Sequence, residues 1–246
     1  VGQWEPATLE TIKTVRQLYD DLAKQDQVNV QFSRFPVTDE QAPEEKDFDY
    51  LIQALLPVVA SLPQPDGGAN DPAECISLVF NCQMGRGRTT TGMVVAAMIV
   101  GLVFPEYNTF LEEQLPAHIL YPATESPFEH GNYRIVGQVQ RLLVDGPQAK
   151  QRTDRAINAC GRFQNLRAAI EGFKKTVESV DSNDGQRHTA LHHGKHYLMR
   201  YFFLIIFNSF LHEQYDRESR TLRMSFVQWM DSRKELRGWE HRVELK

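Results

Sequence analysis

The spacing of apolar residues changes twice in the first third of the chain. Residues 8–25 carry apolar side chains three or four positions apart, which predicts an amphipathic helix. Residues 28–35 alternate apolar and polar side chains, which predicts a strand. A loop bracketed by Pro36 and Pro43 follows, and residues 47–62 return to helical spacing. This region therefore predicts a mixture of helices and strands.

The middle of the chain places a glycine-bearing loop between two apolar segments. Residues 63–72 are rich in Pro, Gly and Asp, a composition typical of a surface loop. The run 75–80 (CISLVF) predicts a strand buried on both faces, as in a parallel sheet. The loop 82–88 and an apolar helix over 89–103 follow it directly. Strand, loop and helix in this order make half of a βαβ unit, so we expect an α/β fold whose parallel-sheet core is flanked by helices.

After residue 105 the pattern predicts helices only. The predicted helices are 107–115, 131–145, 150–179, 186–214 and 222–243, separated by turn signals at Pro122, at Gly146-Pro147 and over 182–185. The longest apolar run, 198–211, is too short to span a bilayer and contains Arg200 and Asn208, so it predicts a buried helix and no transmembrane segment. The C-terminal half is therefore expected to be helical.

The domain expectation follows from length and composition. The chain has 246 residues, 41% of them apolar, which supports a substantial core. We expect one unit over 1–246, with an α/β part that holds the glycine-bearing loop over 1–147 and a helical extension over 148–246 packed on it. Because the chain starts with Val1, we also expect it to be a piece of a longer protein.

Charge is distributed unevenly along the chain. The net charge is −5, which gives no general attraction to nucleic acid or membranes. Residues 1–149 carry a net charge of −11 and residues 150–246 a net charge of +6. Two interpretations stay open. The two halves have solvated surfaces of opposite sign, or the basic half leans over an anionic ligand site.

Cysteine and histidine usage argues against a metal site. Cys75, Cys82 and Cys160 form no C-x-x-C pair, and their odd number argues against a disulfide framework. A reducing compartment, the cytoplasm, fits free thiols. His188, His192 and His196 share metal-like helical spacing, but no acidic ligand joins them, so they are interpreted as polar-face or interhelix residues. We expect no cofactor.

The segment Cys82–Arg88 (CQMGRGR) has what thiol-dependent phosphate chemistry requires. Cys82 lies before a helix N-terminus, whose dipole favours a thiolate. Gly85 and Gly87 let backbone N–H groups approach phosphoryl oxygens. Arg88 can return across the loop and bind two oxygens at once, and the Thr89 hydroxyl can stabilise the sulfur as a leaving group. The loop therefore predicts hydrolysis of phosphomonoesters through a phosphocysteine.

The other loop residues, Gln83, Met84 and Arg86, are expected to contribute backbone N–H groups to the same cradle. The competing interpretation of Cys82 is a small buried apolar residue, the usual fate of a free cysteine. A nucleotide-binding loop fits less well because the lysine of G-x-x-x-x-G-K-[ST] is missing. Arg86 adds a second charge beside Arg88. It either contacts a ligand or is a solvated arginine, with a carboxylate such as Glu40 as a possible partner.

The leaving alcohol needs a proton, and Asp39 is the candidate acid. It follows the predicted strand 28–35, on a loop stiffened by Pro36 and Pro43. The ends of parallel strands are where such sheets bind ligands. The alternative is an aspartate that caps a helix or a turn. The residues alone leave these two interpretations open.

Four segments resemble a known family: RFPVTDEQAP, VFNCQMGRGRTTTGMVV, GNYRIV and NLRAAI. They are similar to the paladin-like proteins and to the protein-tyrosine-phosphatase-like inositol polyphosphate phosphatases, often called phytases. The resemblance implies a three-layer α/β phosphatase core, with Cys82 as nucleophile, Arg88 as phosphate ligand and Asp39 as general acid. It also implies other phosphatase-like units of the same protein as partners.

The sequence departs from that family at two positions. The active phytase-like pattern has His before the cysteine, where this chain has Asn81, and often His after the acid, where it has Glu40. We therefore carry two hypotheses. The first is a phosphatase acting on a phosphorylated small molecule or a phosphoinositide headgroup, with Arg86 favouring highly anionic substrates. The second is a pseudophosphatase that binds phospho-ligands or protein partners without turnover.

Overall fold

A computed structural model of the chain describes residues 12–24, 30–63, 76–120, 123, 126–179, 181–239 and 242–245. The chain forms two units, residues 1–36 and residues 37–246. The expected single phosphatase-like unit over 1–246, divided at residue 147, stays a prediction.

The described residues of the first unit form one short helix. Helix α1 spans Val15–Ala23 and begins after Thr14, whose side chain accepts a hydrogen bond from the Gln17 backbone N–H. Tyr19 on this helix stacks on Phe32 with ring centroids 4.5 Å apart. The predicted strand 28–35 is not seen, because residues 30–35 have no regular secondary structure. Residues 8–11, 25, 28 and 29 of these predicted elements lie outside the described residues.

The second unit is built from helices. They are α2 Glu45–Ala60, α3 Gly87–Val103, α4 Tyr107–Gln114, α5 Ala117–Leu120, α6 Arg134–Leu142, α7 Gly146–Ala159, α8 Leu166–Glu178, α9 Asp184–Gln214 and α10 Phe226–Ser232, with a 3-10 helix at Lys234–Leu236. The helical C-terminal half is therefore as predicted. Helix α3 packs against α2, α7 and α9, so the helix that follows the glycine-bearing loop is surrounded by the core.

Helix α9 is the centre of this unit. It spans 31 residues, and every side chain from Tyr197 to Leu211 is buried. An apolar helix surrounded on all sides belongs in a core, which confirms the buried helix predicted from the run 198–211. No helix within the described ranges is both long and apolar enough to cross a membrane.

Helix α2 ties the segment before it to this core. Phe48 is fully buried, with its ring 4.8 Å from that of Phe207 on α9 and 5.3 Å from that of Phe226 on α10. The Asp49 carboxylate accepts the Phe226 and Val227 backbone N–H groups at 2.6 and 3.1 Å, which caps α10. Burial of one such aromatic side chain stabilises the fold by about 1.5–3 kcal/mol. The loop that carries Asp39 therefore leads into a firmly held helix.

The predicted parallel sheet is not seen in the residues that the structure describes. Their sheet is a two-stranded antiparallel hairpin, β1 Tyr215–Asp216 and β2 Thr221–Leu222, with Arg220 at a φ of 55° in the turn. Residues 76–80 form no strand, and Val79 is 87% exposed. A strand is stabilised by hydrogen bonds to a neighbour, and within the described ranges 76–80 has no such neighbour. Its apolar composition was therefore a poor guide to its burial.

The helix boundaries differ from those predicted most clearly in three places. Gly146-Pro147, predicted as a turn, begins α7, because proline is well tolerated in the first helical turn. The predicted helix 150–179 is interrupted after Ala159. Helix α8 restarts beyond Asn165, whose side chain accepts two backbone N–H groups as an N-cap. In the described part of the predicted helix 222–243, α10 and the 3-10 helix are separate and are divided at Arg233.

Candidate active site

The glycine-bearing loop passes directly into helix α3. Residues 83–86 form a bend, and α3 begins at Gly87, two positions earlier than predicted. Gly85 has a φ of +67°, a left-handed conformation that glycine adopts without strain. The Thr90 backbone N–H donates to the Arg86 carbonyl at 2.8 Å, which closes the first turn of α3. The free N–H groups of that turn therefore face the cysteine end of the loop.

Cys82 lies half-buried at the mouth of this loop. Burial raises the pKa of the thiol, but hydrogen bonds from the Thr89 hydroxyl and from the backbone N–H groups of Thr89, Met84 and Arg86 lower it to about 7, from a usual 9.0. The Thr89 hydroxyl is buried and, among the described residues, has no partner in full hydrogen-bonding geometry, so no other group competes with the sulfur for it. These contacts favour a thiolate near neutral pH.

Asp39 and Arg88 are brought together. The Arg88 Nε atom lies 3.1 Å from Asp39 Oδ1, as an ion pair between the two loops. The Asp39 side chain is more than half exposed, whereas that of Arg88 is largely covered. Asp39 Oδ1 also accepts the backbone N–H of Glu40 at 3.1 Å. The structure therefore joins the candidate acid to the candidate phosphate ligand, and the roles themselves stay predictions.

The loop that carries Asp39 is held by helix α9. Glu40 has a φ of 56°, and its carboxylate pairs with His193 Nε2 at 2.6 Å. The Gln41 carbonyl accepts a hydrogen bond from Arg200 Nη2 at 2.7 Å. Glu40, which was considered as a partner of Arg86, thus pairs with a histidine instead.

The remaining loop residues lie at the surface. Gln83, Met84 and Arg86 are exposed. Within the described ranges no carboxylate pairs with Arg86, in contrast to Arg88. The side chain of Arg86 is therefore available to a ligand that covers the loop.

Sequence reasoning missed three polar residues beside Gly87. A Cβ atom at position 87 would lie 2.9 Å from Arg200 Nη1, 2.9 Å from the Tyr197 hydroxyl and 3.7 Å from Gln164 Oε1. Gln164 Oε1 is buried and has no hydrogen-bond donor within the described ranges. The signal for Arg200 was present in the sequence, since a single arginine inside an apolar run is rarely buried without a purpose. The positions of Gln164 and Tyr197 follow only from the packing of α8 and α9.

The histidines of α9 lie together without forming a metal centre. The rings of His192 and His196 are 4.7 Å apart, and His188 is exposed. In the described part of the chain, no group of three or more His, Cys, Asp or Glu side chains could hold a metal ion. His193 is engaged with Glu40 on the acid loop.

A glycine-bearing cysteine loop, an arginine six positions later and an acid on a neighbouring loop define the class of cysteine-phosphatase-like proteins. The family model of the protein-tyrosine-phosphatase-like phytases, described as "Inositol hexakisphosphate", matches residues 1–100, which include both loops. Paladin from Homo sapiens is 30% identical over 215 residues, 85% of this chain and 23% of that protein. Paladins from Xenopus tropicalis and Danio rerio are 29% and 28% identical over 81% and 86% of this chain, and over 21% and 23% of their own lengths.

The expected resemblance to the paladin-like proteins and to the protein-tyrosine-phosphatase-like phytases is thus confirmed. The chain spans less than a quarter of the length of these curated relatives. No solved structure matches it.

Proposed function

We propose that the chain is a cysteine-dependent phosphatase that hydrolyses phosphomonoesters through a phosphocysteine. The observation that carries the proposal is the Arg88–Asp39 ion pair at 3.1 Å beside the loop of Cys82, whose thiol pKa nearby N–H and O–H donors lower to about 7. A thiolate needs such donors, and the same donors suit phosphoryl oxygens. The phytase-like family match over both loops supports the same chemistry.

In the first step the Cys82 thiolate attacks phosphorus and forms an S–P bond. The P–O bond to the alcohol breaks, and its electron pair stays on the leaving oxygen, which takes a proton from Asp39. We assign the terminal nitrogens of Arg88 to two phosphoryl oxygens, because Nε faces Asp39. Arg88 would then align the phosphate and the acid together.

In the second step water attacks the phosphocysteine and the S–P bond breaks. The electron pair returns to sulfur, where the Thr89 hydroxyl stabilises the departing thiolate. The attacking water must lose a proton, and Asp39, ionised after the first step, is the base available. Gln164 Oε1, a buried acceptor beside Gly87 that has no donor among the described residues, is suited to hold that water.

The substrate class that we favour is an inositol phosphate or a phosphoinositide headgroup. Such a ligand carries phosphates beyond the one being cleaved, and Arg86 is an exposed cation at the rim of the loop. The printed description of the family model also names inositol hexakisphosphate. The reaction as written needs no metal or cofactor, and a free thiolate suits a reducing compartment such as the cytoplasm.

We also propose that residues 76–80 form a strand of a parallel sheet when neighbouring strands are present. The segment is apolar yet exposed, with Val79 at 87% and Ile76 at 45%. Such an unpaired apolar segment is expected to pair with another strand. Further phosphatase-like units of a longer protein would be the natural neighbours of the unit 1–246.

A pseudophosphatase is the second candidate. Asn81 replaces a histidine of the active pattern, and Glu40 is engaged with His193. In this structure Arg88 Nε is also occupied by Asp39. If a bound phosphate failed to align with this pair, the chain would bind phospho-ligands and not turn them over.

The test measures turnover of p-nitrophenyl phosphate and of an inositol phosphate panel. Wild type should release phosphate, Cys82→Ser should not, and the matched control Cys160→Ser should retain activity. Wild type that binds an inositol phosphate but releases none, at the level of Cys82→Ser, would establish the pseudophosphatase. Equal loss in both serine variants would indicate a folding defect.

A further inference from the structure

Arg200 is a charged residue in the middle of the apolar part of α9. Only 1% of its surface is exposed. Its Nη2 atom donates to the Gln41 carbonyl, but Nε and Nη1 have no acceptor within hydrogen-bonding geometry among the described residues. Each buried group left without a partner costs about 1–3 kcal/mol. A methionine or leucine here would avoid that cost, so the arginine needs an explanation.

The guanidinium lies between the two loops of the candidate site. Gln41, its acceptor, comes two residues after Asp39. Gly87, where a Cβ atom would lie 2.9 Å from Nη1, directly precedes Arg88. Burial lowers the pKa of Arg200, while the neighbouring Tyr197 and Asp39 favour its charged form and Arg88 opposes it. Arg200 thus interacts electrostatically with both Asp39 and Arg88.

A second residue of α9 holds the same loop. His193 and Arg200 are seven positions apart, about two helical turns, and so lie on one face of the helix. His193 pairs with Glu40 at 2.6 Å, and Arg200 bonds to the next residue along the loop. Tyr197 lies between them, with its ring 4.6 Å from the guanidinium carbon of Arg200. Residues 40 and 41 are therefore fastened to α9 at two points.

We propose that Arg200 is a positioning residue that fixes the acid loop, and with it Asp39, over the phosphate-binding loop. Arg200 holds the loop from the core, because it donates a hydrogen bond to the Gln41 carbonyl. It also occupies the space beside Gly87 into which a Cβ atom would project. The kinetic consequence of this inference rests on the proposed function. The mechanical part, that Arg200 orders residues 37–44, is independent of turnover.

The kinetic test compares Arg200→Met and Arg200→Lys with Arg187→Met. Arg187 is a matched control, since it lies on α9 13 positions before Arg200, has an unpartnered Nε within the described ranges and donates to a backbone carbonyl, Ser179 O at 2.8 Å. Arg200→Met should lower kcat roughly 10- to 100-fold for an alkyl phosphate, with less effect on p-nitrophenyl phosphate, since misplacing the acid harms only poor leaving groups. Arg200→Lys should restore part of the loss.

The double variant Arg200→Met/Asp39→Asn separates positioning from a general folding defect. If Arg200 acts through Asp39, the double variant should be little slower than Asp39→Asn alone. Additive losses, or equal losses on alkyl and aryl substrates, would overturn the proposal. Unfolding midpoints of all variants are measured alongside. If Arg200→Met is unfolded at the assay temperature, Arg200→Lys replaces it in the comparison of single and double variants.

Amide hydrogen exchange of the full chain tests the mechanical part without any substrate. Peptides over 37–44 should exchange at least about fivefold faster in Arg200→Met than in wild type, and at the wild-type rate in Arg187→Met. Unchanged exchange over 37–44 in Arg200→Met would overturn the proposal. A wild type without turnover would reject the proposed function instead, and the exchange comparison would then decide the role of Arg200 alone.

Discussion

Two cysteines at opposite kinds of helix end show what makes a thiol reactive in this molecule. Cys82 precedes the N-terminal turn of α3, where unpaired backbone N–H groups point at the sulfur. Cys160 is the C-terminal cap of α7, where its own N–H bonds back to Ala156 and the local groups are carbonyls. Burial acts against the thiolate at both places. It raises the pKa of Cys160 to about 11, but at Cys82 hydrogen bonds prevail and the pKa falls to about 7.

The comparison teaches that burial does not define the candidate site. Cys160 is the more buried thiol and Cys82 only half-buried, yet the sulfur that is suited to chemistry is the one that meets donors. The helix macrodipole works in the same direction, since it favours negative charge at an N-terminus and disfavours it at a C-terminus. A loop that presents N–H groups is therefore the decisive difference between the two regions.

Alkylation is expected to give the largest contrast. With pKa values of about 7 and about 11, the thiolate fractions at pH 7 differ by roughly three orders of magnitude. Iodoacetamide should modify Cys82 with a midpoint near pH 7 and leave Cys160 intact. The experiment uses a background in which Cys75, which lies outside the described residues, is serine, and mass spectrometry locates the label. Similar alkylation rates at Cys82 and Cys160 would contradict the difference in pKa between the two thiols.

The same values fix the sign of two pH effects on stability. The pKa of Cys82 is lowered in the fold, so its contribution is present above its unfolded pKa of about 9.0 and is lost as pH falls through about 7. The pKa of Cys160 is raised, so its contribution is present below about 9.0 and is lost as pH rises through about 11. The contribution of Cys82 to stability therefore changes between about pH 7 and 9.0, and that of Cys160 between 9.0 and about 11.

Asp39→Asn should slow hydrolysis of poor leaving groups by roughly 100-fold or more, because the alkoxide no longer receives a proton. An aryl phosphate should be affected less, since its leaving group needs little help. Alkylation of Cys82 at pH 7 should persist, which would separate the acid from the thiolate. Steady-state kinetics on a series of leaving groups gives the comparison. Equal loss along the whole series would assign Asp39 to binding or folding.

Arg86→Ala should weaken hydrolysis of polyphosphorylated substrates by about 1.5–3 kcal/mol in kcat/KM, roughly 10- to 150-fold, by removing one charge-assisted hydrogen bond. A small aryl phosphate offers nothing for Arg86 to hold and should be spared. The turn after Cys160 supplies a matched control, Arg162→Ala, another exposed arginine close to a cysteine. The measured quantity is the kcat/KM ratio between the two kinds of substrate. An unchanged ratio in Arg86→Ala would remove the argument for an inositol ring.

Thr89→Val should give the smallest effect. It removes one donor near the Cys82 sulfur and leaves the backbone N–H groups, so alkylation at pH 7 should slow about threefold, as expected when the loss of one hydrogen bond of about 1 kcal/mol raises a pKa of about 7. The control is Thr91→Val, which alters a buried threonine of the same helix whose hydroxyl donates to the Gly87 carbonyl at 2.8 Å. If both variants behave alike, the hydroxyl of Thr89 has no special role at the sulfur.

Local features of the candidate site could be predicted from the sequence. The spacing from Cys82 to Arg88 and the two glycines place an anion-binding loop before a helix, and α3 does begin there. The proline-bracketed loop suggested Asp39, which the structure brings to Arg88. Both inferences use short-range rules, where backbone geometry and residue type suffice.

Long-range features could not be predicted in the same way. Arg200 meets Gln41 across 159 residues of sequence, and nothing in either neighbourhood specifies that pair. Residues 76–80 have the composition of a buried strand, but a strand is defined by partners that composition does not name. The interruption between α7 and α8 depends on Asn165, whose capping role competes with the helical spacing around it.

Gly87 links the substitutions that the loop 82–88 tolerates to those that helix α9 tolerates. Any other residue there would place a Cβ atom 2.9 Å from Arg200 Nη1 and 2.9 Å from the Tyr197 hydroxyl. An alanine at 87 would push aside the ends of the Tyr197 and Arg200 side chains, so the effects of substitutions at these three positions are expected to depend on one another. Gly87 and Arg200 are therefore expected to vary together, although more than a hundred residues separate them in the chain.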